Sequence, residues 1–171
     1  MIKNKIEIAL NEQINAEFHS AYLYLSMSAY FQSIGMAGFA NWMRVQYQEE
    51  LAHSTRFFDF VNGRGGRVKL VPIKEVQVEY SGVVDVYEET LKHEQLVTGL
   101  INRLMDIAIQ ESDHATKSFL QWFVDEQVEE EANVEQILNN LRLIKGEGQG
   151  LLMMDREMKA RVFVDPFAGI V

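Results

Sequence analysis

The sequence predicts an all-α protein: a four-helix bundle built from two antiparallel hairpins and one long crossover, followed by a short fifth helix. Three observations predict it. Only two prolines interrupt 171 residues, so long stretches are free to be helical. Apolar residues recur at spacings of three and four through four segments, the stripe of helices packed at shallow angles. Most glycines gather in short clusters between those segments. With 47% apolar residues the chain can fill one core. Residues 1–171 therefore read as a single domain, with the bundle at about 4–145 and the fifth helix at about 150–161.

The first segment carries Leu10, Ile14, Ala21, Leu25 and Ala29, and the second Phe39, Met43, Phe57 and Phe60. Gly35 and Gly38 separate them, a connection short enough to force antiparallel neighbours. The crossover starts at Gly63-Arg64-Gly65-Gly66 and passes Pro72 to Gly82. A helix of about 28 residues runs ~42 Å. A connection of about 18 residues can extend to ~59 Å, enough to return along the bundle. The third segment carries Tyr87, Leu91, Ile101, Met105 and Ala108, and Ser112-Asp113 can cap the start of the next helix. The fourth carries Leu120, Phe123, Val134, Ile137, Leu141 and Ile144. After Gly146, Gly148 and Gly150 comes an amphipathic stretch, Leu151 to Arg161, then a tail with Pro166. That fifth helix lies outside the bundle and is expected to pack on something, such as a neighbouring subunit.

Composition removes several function classes. No cysteine is present, which excludes disulfides, zinc–thiolate sites, iron–sulfur clusters and thiol catalysis. A net charge of -9 argues against nucleic acid as a partner. Charges in the first residues and the lack of a long apolar run argue against a signal peptide and a membrane span. The expectation is a soluble, cytoplasmic protein.

The apolar stripes are broken by polar residues at matching heights. Glu17 follows Leu10 and Ile14 and precedes Ala21, Tyr24 and Ser28. Gln46, Glu50 and His53 stand between Met43 and Phe57, Glu94 between Leu91 and Ile101, and Gln127 and Glu130 between Phe123 and Val134. Glu17 and Glu50 are 33 positions apart, as are Glu94 and Gln127. A shift of 77 carries Glu17 to Glu94, Glu50 to Gln127, His53 to Glu130 and Glu49 to Glu126, so the two hairpins repeat each other at this level. Ionised carboxylates in an apolar core must be protonated, paired or bound to metal. No lysine or arginine stands on these stripes near the site, so a divalent cation or two is the expected partner. Glu50 and His53 form Glu-x-x-His, leaving one helix face together. Glu17 and Glu94 can complete two metal positions with Glu50 as a bridge. Oxygen ligands with one imidazole suit iron(II), manganese or zinc.

The segments Glu17-Phe18-His19-Ser20-Ala21-Tyr22-Leu23-Tyr24, Glu49-Glu50-Leu51-Ala52-His53 and Glu126-Gln127-Val128-Glu129-Glu130 resemble the ferritin family, specifically its bacterial non-haem members. The resemblance runs from Glu17 through the fifth helix. It implies a ferritin-like bundle with one iron held by Glu17, Glu50 and His53, and another by Glu50 and Glu94 with Gln127 nearby. It also implies that Tyr24 hydrogen-bonds into the site and supplies an electron, and that Glu49, Glu126, Glu129 and Glu130 form a third iron site. Position 51 is leucine where bacterioferritins carry the haem-ligating methionine, and the second Glu-x-x-His is Gln127-x-x-Glu130, so no haem is expected. The absence of cysteine separates the chain from rubrerythrins.

The resemblance further implies iron storage with ferroxidase activity, iron(II) and dioxygen or hydrogen peroxide as reactants, and a homo-oligomeric cage of twenty-four subunits. Two other functions use the same residues: a non-catalytic metal-binding cage, and a di-iron peroxidase without storage. Plainer readings exist for individual residues. Gln127 can be a hydrogen-bonded core amide and Tyr24 a core aromatic. Asp125 to Glu131 can be a solvated face, in which Glu126, the repeat partner of Glu49, carries most of the third-site reading. His19, His93 and His114 read as surface or capping residues, and the methionines as packing.

Overall fold

The computed structural model describes residues 2–169. Five helices follow one another: α1 (Asn4–Ser33), α2 (Ala37–Gly63), α3 (Val83–Gln110), α4 (His114–Leu143) and α5 (Gly148–Met158). α1 pairs with α2 and α3 with α4, and contact between α1 and α3 joins the hairpins. No described helix is long and apolar enough to cross a membrane.

All four bundle helices stop in the same way. A residue at positive φ (Gly35, Gly65, Ser112 and Lys145) follows each C-cap. The next amide then donates five residues back: Met36 to Phe31, Gly66 to Val61, Asp113 to Ala108 and Gly146 to Leu141, at 2.8–2.9 Å. This Schellman arrangement satisfies carbonyls that a helix end leaves free. Asp113 also serves α4, its carboxylate accepting from the Thr116 amide as N-cap, so the α3–α4 turn needs almost no loop.

The crossover runs alongside α1. Asn11 holds its start, donating to the Arg67 carbonyl at 3.1 Å and accepting from the Lys69 amide at 2.6 Å. Ser26 donates to the Gln77 carbonyl further along, and the Tyr80 ring packs on Tyr30. The chain therefore returns to the end where α1 finished, and α3 runs antiparallel to α1.

The core divides into two apolar clusters. One lies at the α1–α2 turn end and includes Met27, Phe31, Phe39, Met43, Val86, Tyr87, Val134, Leu138 and Leu141. The other lies at the opposite end and includes Ile6, Leu10, Ile14, Phe57, Val61, Ile101, Leu104, Leu120 and Phe123. Between them is a polar layer.

Three expectations need correction. Ala29 is exposed and Leu25 only half-buried; the inward stripe of α1 continues instead through Tyr24, Met27, Ser28 and Phe31. Gly38 does not lie in the turn but in the first turn of α2. α5 ends at Met158, so Arg161 falls beyond it; within the chain the helix packs on α2. The Asp155 carboxylate accepts from the Gly38 and Phe39 amides at 2.8 and 3.1 Å, capping α2 from a distance. Leu151 enters the core next to that turn.

Candidate metal centre

The polar layer is built from all four bundle helices. α1 supplies Glu17, α2 Glu50 and His53, α3 Glu94, and α4 Gln127 and Glu130. None of the six is more than 6% exposed, so their charges cannot be hydrated by bulk water. Glu17, Glu50 and His53 each offer an atom within 4.8 Å of the others. His53 Nδ1 lies 3.5 Å from Glu50 Oε2 and 4.0 Å from Glu17 Oε2. This is the one group of three or more such donors close enough to hold a metal among the described residues.

Glu94 lies outside that group but close enough for its charge to act on Glu50. The Tyr24 hydroxyl donates to Glu94 Oε1, and Gln127 Nε2 reaches Glu94 Oε2 at 3.2 Å. Tyr24 itself is fully buried in the apolar cluster at the α1–α2 turn end, and its hydroxyl reaches the layer at Glu94. Glu130 accepts from Gln46 Nε2 at 3.0 Å. The repeat seen in the sequence is thus unequal in space. One hairpin gathers two carboxylates and an imidazole, while the other presents two carboxylates, Glu94 held by an amide and a phenol and Glu130 held by Gln46.

Electrostatics follow from burial. Desolvation, then the neighbouring Glu50 charge, raises the Glu17 carboxyl well above its usual range. Glu50 is raised by desolvation and by Glu94. Desolvation also raises Glu94, with the Tyr24 and Gln127 hydrogen bonds opposing it. Glu130 is pushed to about 8 by burial and by Glu94 and Glu49. Without a cation, burial favours the protonated forms of these carboxyls. Glu50 Oε2 and His53 Nε2 are buried with no hydrogen-bond partner. Buried polar atoms rarely stay unpaired, and an orphan carboxylate oxygen beside an imidazole is a donor set short of a cation.

Four residues of the acidic flank are distributed less tightly. Glu49 and Glu126 are half-buried on the α2 and α4 faces, and burial raises both carboxyls. Glu130 is buried next to them, whereas Glu129 is exposed. Glu49 does not wait alone. Arg161 donates to its Oε2 at 2.6 Å, a basic partner that the stripes themselves do not carry.

Sequence reading passed over three other contributors. Gln13 donates to Glu17 Oε1 at 2.7 Å and stands one turn earlier on the same face, a spacing that was available to read. Thr98 accepts from Gln127 at 3.3 Å. His93, read as a surface or capping residue, is half-buried; it pairs with Ser20 Oγ at 2.8 Å and sets its ring edge-on to Tyr24. His114 is exposed at the first turn of α4. Met154 and Met158 pack against the core, but Met153 is exposed.

Known proteins align with this chain along nearly its whole length. The ferritin-like domain family matches residues 7–144, the span of the bundle. A bacterial non-heme ferritin of Bacteroides fragilis is 41% identical, covering 94% of this chain and 100% of the relative. One of Staphylococcus aureus is 37% identical, covering 94% and 96%. Among solved structures, the open pore ferritin of Archaeoglobus fulgidus superposes with a TM-score of 0.93 at 52% identity, covering 95% of this chain and 100% of that one. A form of the same ferritin engineered to be closed gives 0.94, also at 52% identity, covering 96% of this chain and 100% of that one.

Proposed function

The chain belongs to the ferritin-like domain family, and from that premise we propose that it stores iron and oxidises it on the way in. The observation that carries the reading is the buried group of Glu17, Glu50 and His53, with Glu94 beside Glu50 and two orphan donor atoms facing no protein partner. Iron(II) is the substrate. One ion would be held by Glu17, Glu50 and His53, the other by Glu50 and Glu94, with Gln127 adjusting Glu94 through its amide. Glu49, Glu126 and Glu130 would form a looser outer position, their donor atoms standing further apart than those of the buried group, with Glu129 at its exposed edge.

Each iron(II) gives up one electron. Dioxygen takes the pair with two protons and leaves as hydrogen peroxide; peroxide as oxidant takes a further pair with two protons and leaves as water. The protons have a local source, because cations entering the layer displace those held by Glu17, Glu50 and Glu130. Tyr24 is the residue placed to donate a hydrogen bond or an electron from outside the ligand set. Its hydroxyl touches Glu94, and its ring lies in apolar packing.

Storage requires an enclosed volume. We take the assembly to be a homo-oligomeric cage of twenty-four copies. Exposed Leu70, Val71, Ile73 and Val78 on the crossover and Leu152 and Met153 on α5 are the apolar surface such contacts would cover. The test is to give metal-free protein anaerobic iron(II), admit air, and follow ferric absorbance alongside size-exclusion elution. Fast oxidation and a large particle are expected. Oxidation at the buffer rate, or a small particle, sinks the storage reading, and a small particle with fast turnover favours the peroxidase. Glu50→Ala should abolish the fast phase and leave assembly intact.

A further inference from the structure

α5 and the residues just after it are fastened to α2 at several points. Asp155 caps α2 through the Gly38 and Phe39 amides. Asn41 Nδ2 donates to the carbonyls of Met158 and Arg161 at 3.2 and 2.9 Å. A Cβ at Gly38 would stand 1.5 Å from the Asp155 carbonyl oxygen, so this close approach depends on glycine. The result is that one side chain is delivered to a fixed place. The Arg161 guanidinium stacks 4.6 Å from the Trp42 ring centre, donates to the Trp42 carbonyl, and forms its 2.6 Å ion pair with Glu49.

Glu49 on α2 is near enough to Glu126 and Glu130 of α4 for both carboxylates to feel its charge. All three also feel Arg161. A guanidinium in that place stands in for a bound metal ion: it engages Glu49 Oε2 and cancels part of the local negative charge. A cation on Glu49 would stand beside the guanidinium already paired with Oε2, so the two like charges compete for the same carboxylate.

We propose that Arg161 is the built-in competitor for the outer carboxylate position of Glu49, Glu126 and Glu130, so that a divalent cation arriving there must take Glu49 from the guanidinium. This rests on the metal reading of those three carboxylates given above. Its consequence is a position that fills weakly and empties readily, suited to passing an ion between the buried layer and the exterior of the bundle. Trp42 gives the released guanidinium a face to remain stacked on. Arg161 acts through Glu49, and is a positioning residue.

Zinc(II), which undergoes no oxidation, is the probe. Its binding to the metal-free assembled protein is titrated by calorimetry at fixed pH. Arg161→Gln should tighten the weakest of the bound equivalents by about tenfold, the scale of one charge-assisted hydrogen bond. Arg161→Lys, which keeps the charge, should return binding towards the parent value, whereas a role in packing alone would leave Lys and Gln alike. Adding Glu49→Gln to Arg161→Gln should abolish the gain. If Glu126→Gln removes a zinc equivalent but Arg161→Gln leaves that equivalent unchanged or weaker, the outer position stands and the competitor role is overturned. If neither Glu49→Gln nor Glu126→Gln removes any equivalent, the outer position itself is wrong and the inference goes with it.

Discussion

Tyr24 shows how much chemistry one buried hydroxyl can carry. Burial and the surrounding carboxylates hold its phenol well above its ordinary value, so it remains a donor throughout the neutral range, and Glu94 is its acceptor. Tyr24→Phe keeps the ring in the apolar cluster and removes only the donor. The expected outcome is a fast oxidation phase slowed by about tenfold, the worth of one hydrogen bond to a charged acceptor, with zinc stoichiometry unchanged. Stopped-flow absorbance and calorimetry separate the two effects. A rate equal to the parent would make Tyr24 a packing residue only. Asymmetry is the other residue-scale lesson. Position 130 repeats position 53 but carries glutamate, and Gln46 holds it from across the layer, so the α4 side adds a carboxylate without adding a second imidazole.

Between helices, the four Schellman stops decide where the bundle turns. Two of them place a residue with a side chain at positive φ, Ser112 at 54° and Lys145 at 57°, a conformation that costs an L residue roughly 1 kcal/mol. Ser112→Gly should therefore stabilise the protein by about 0.5–1 kcal/mol in denaturant melts, because the strain relieved exceeds the entropy added to the unfolded chain. A loss of stability would mean that Ser112 does more than turn. Gly38→Ala should do the reverse, since a Cβ there meets backbone rather than a pliable side chain. Forcing α5 outward should cost about 1–3 kcal/mol, as overpacking does, and should reproduce the zinc behaviour of Arg161→Gln by withdrawing the guanidinium. A fully stable variant with parental zinc binding would refute the close approach. These elements also mark what could be read beforehand. Helix periodicity, the Ser112-Asp113 cap and the 77-residue echo all lie in local spacing, and so the bundle and its polar layer were legible. Arg161 was not, because nothing near it in sequence says that α5 folds back onto Trp42. Gly38 looked like a turn for the same reason: its constraint is a contact with residue 155.

For the molecule as a whole, the polar layer couples stability to pH and to metal. Glu17, Glu50, Glu94 and Glu130 all have carboxyls raised above their unfolded value, Glu130 to about 8. A carboxyl raised on folding binds its proton more tightly in the native state. Its stabilising contribution is complete below the unfolded value near 4.5 and is lost as pH climbs through the folded one. The metal-free protein should accordingly lose thermal stability between pH 5.5 and 8. Each excess native-state proton is worth about 1.4 kcal/mol per pH unit, which is about 3–5 °C in a chain of this length. Zinc should flatten that slope, because a bound cation replaces the protons and stabilises the ionised carboxylates instead. It should also release protons into a weakly buffered solution, measurable with an indicator dye. The two arms depend on the same groups. Glu130→Gln, which keeps an amide where the protonated acid stood, should reduce the pH slope by removing one of its contributors. Melting curves of the metal-free protein that stay level or rise across this window would show that the layer is ionised without metal, and that Glu17, Glu50 and Glu130 are not the source of protons for the oxidation.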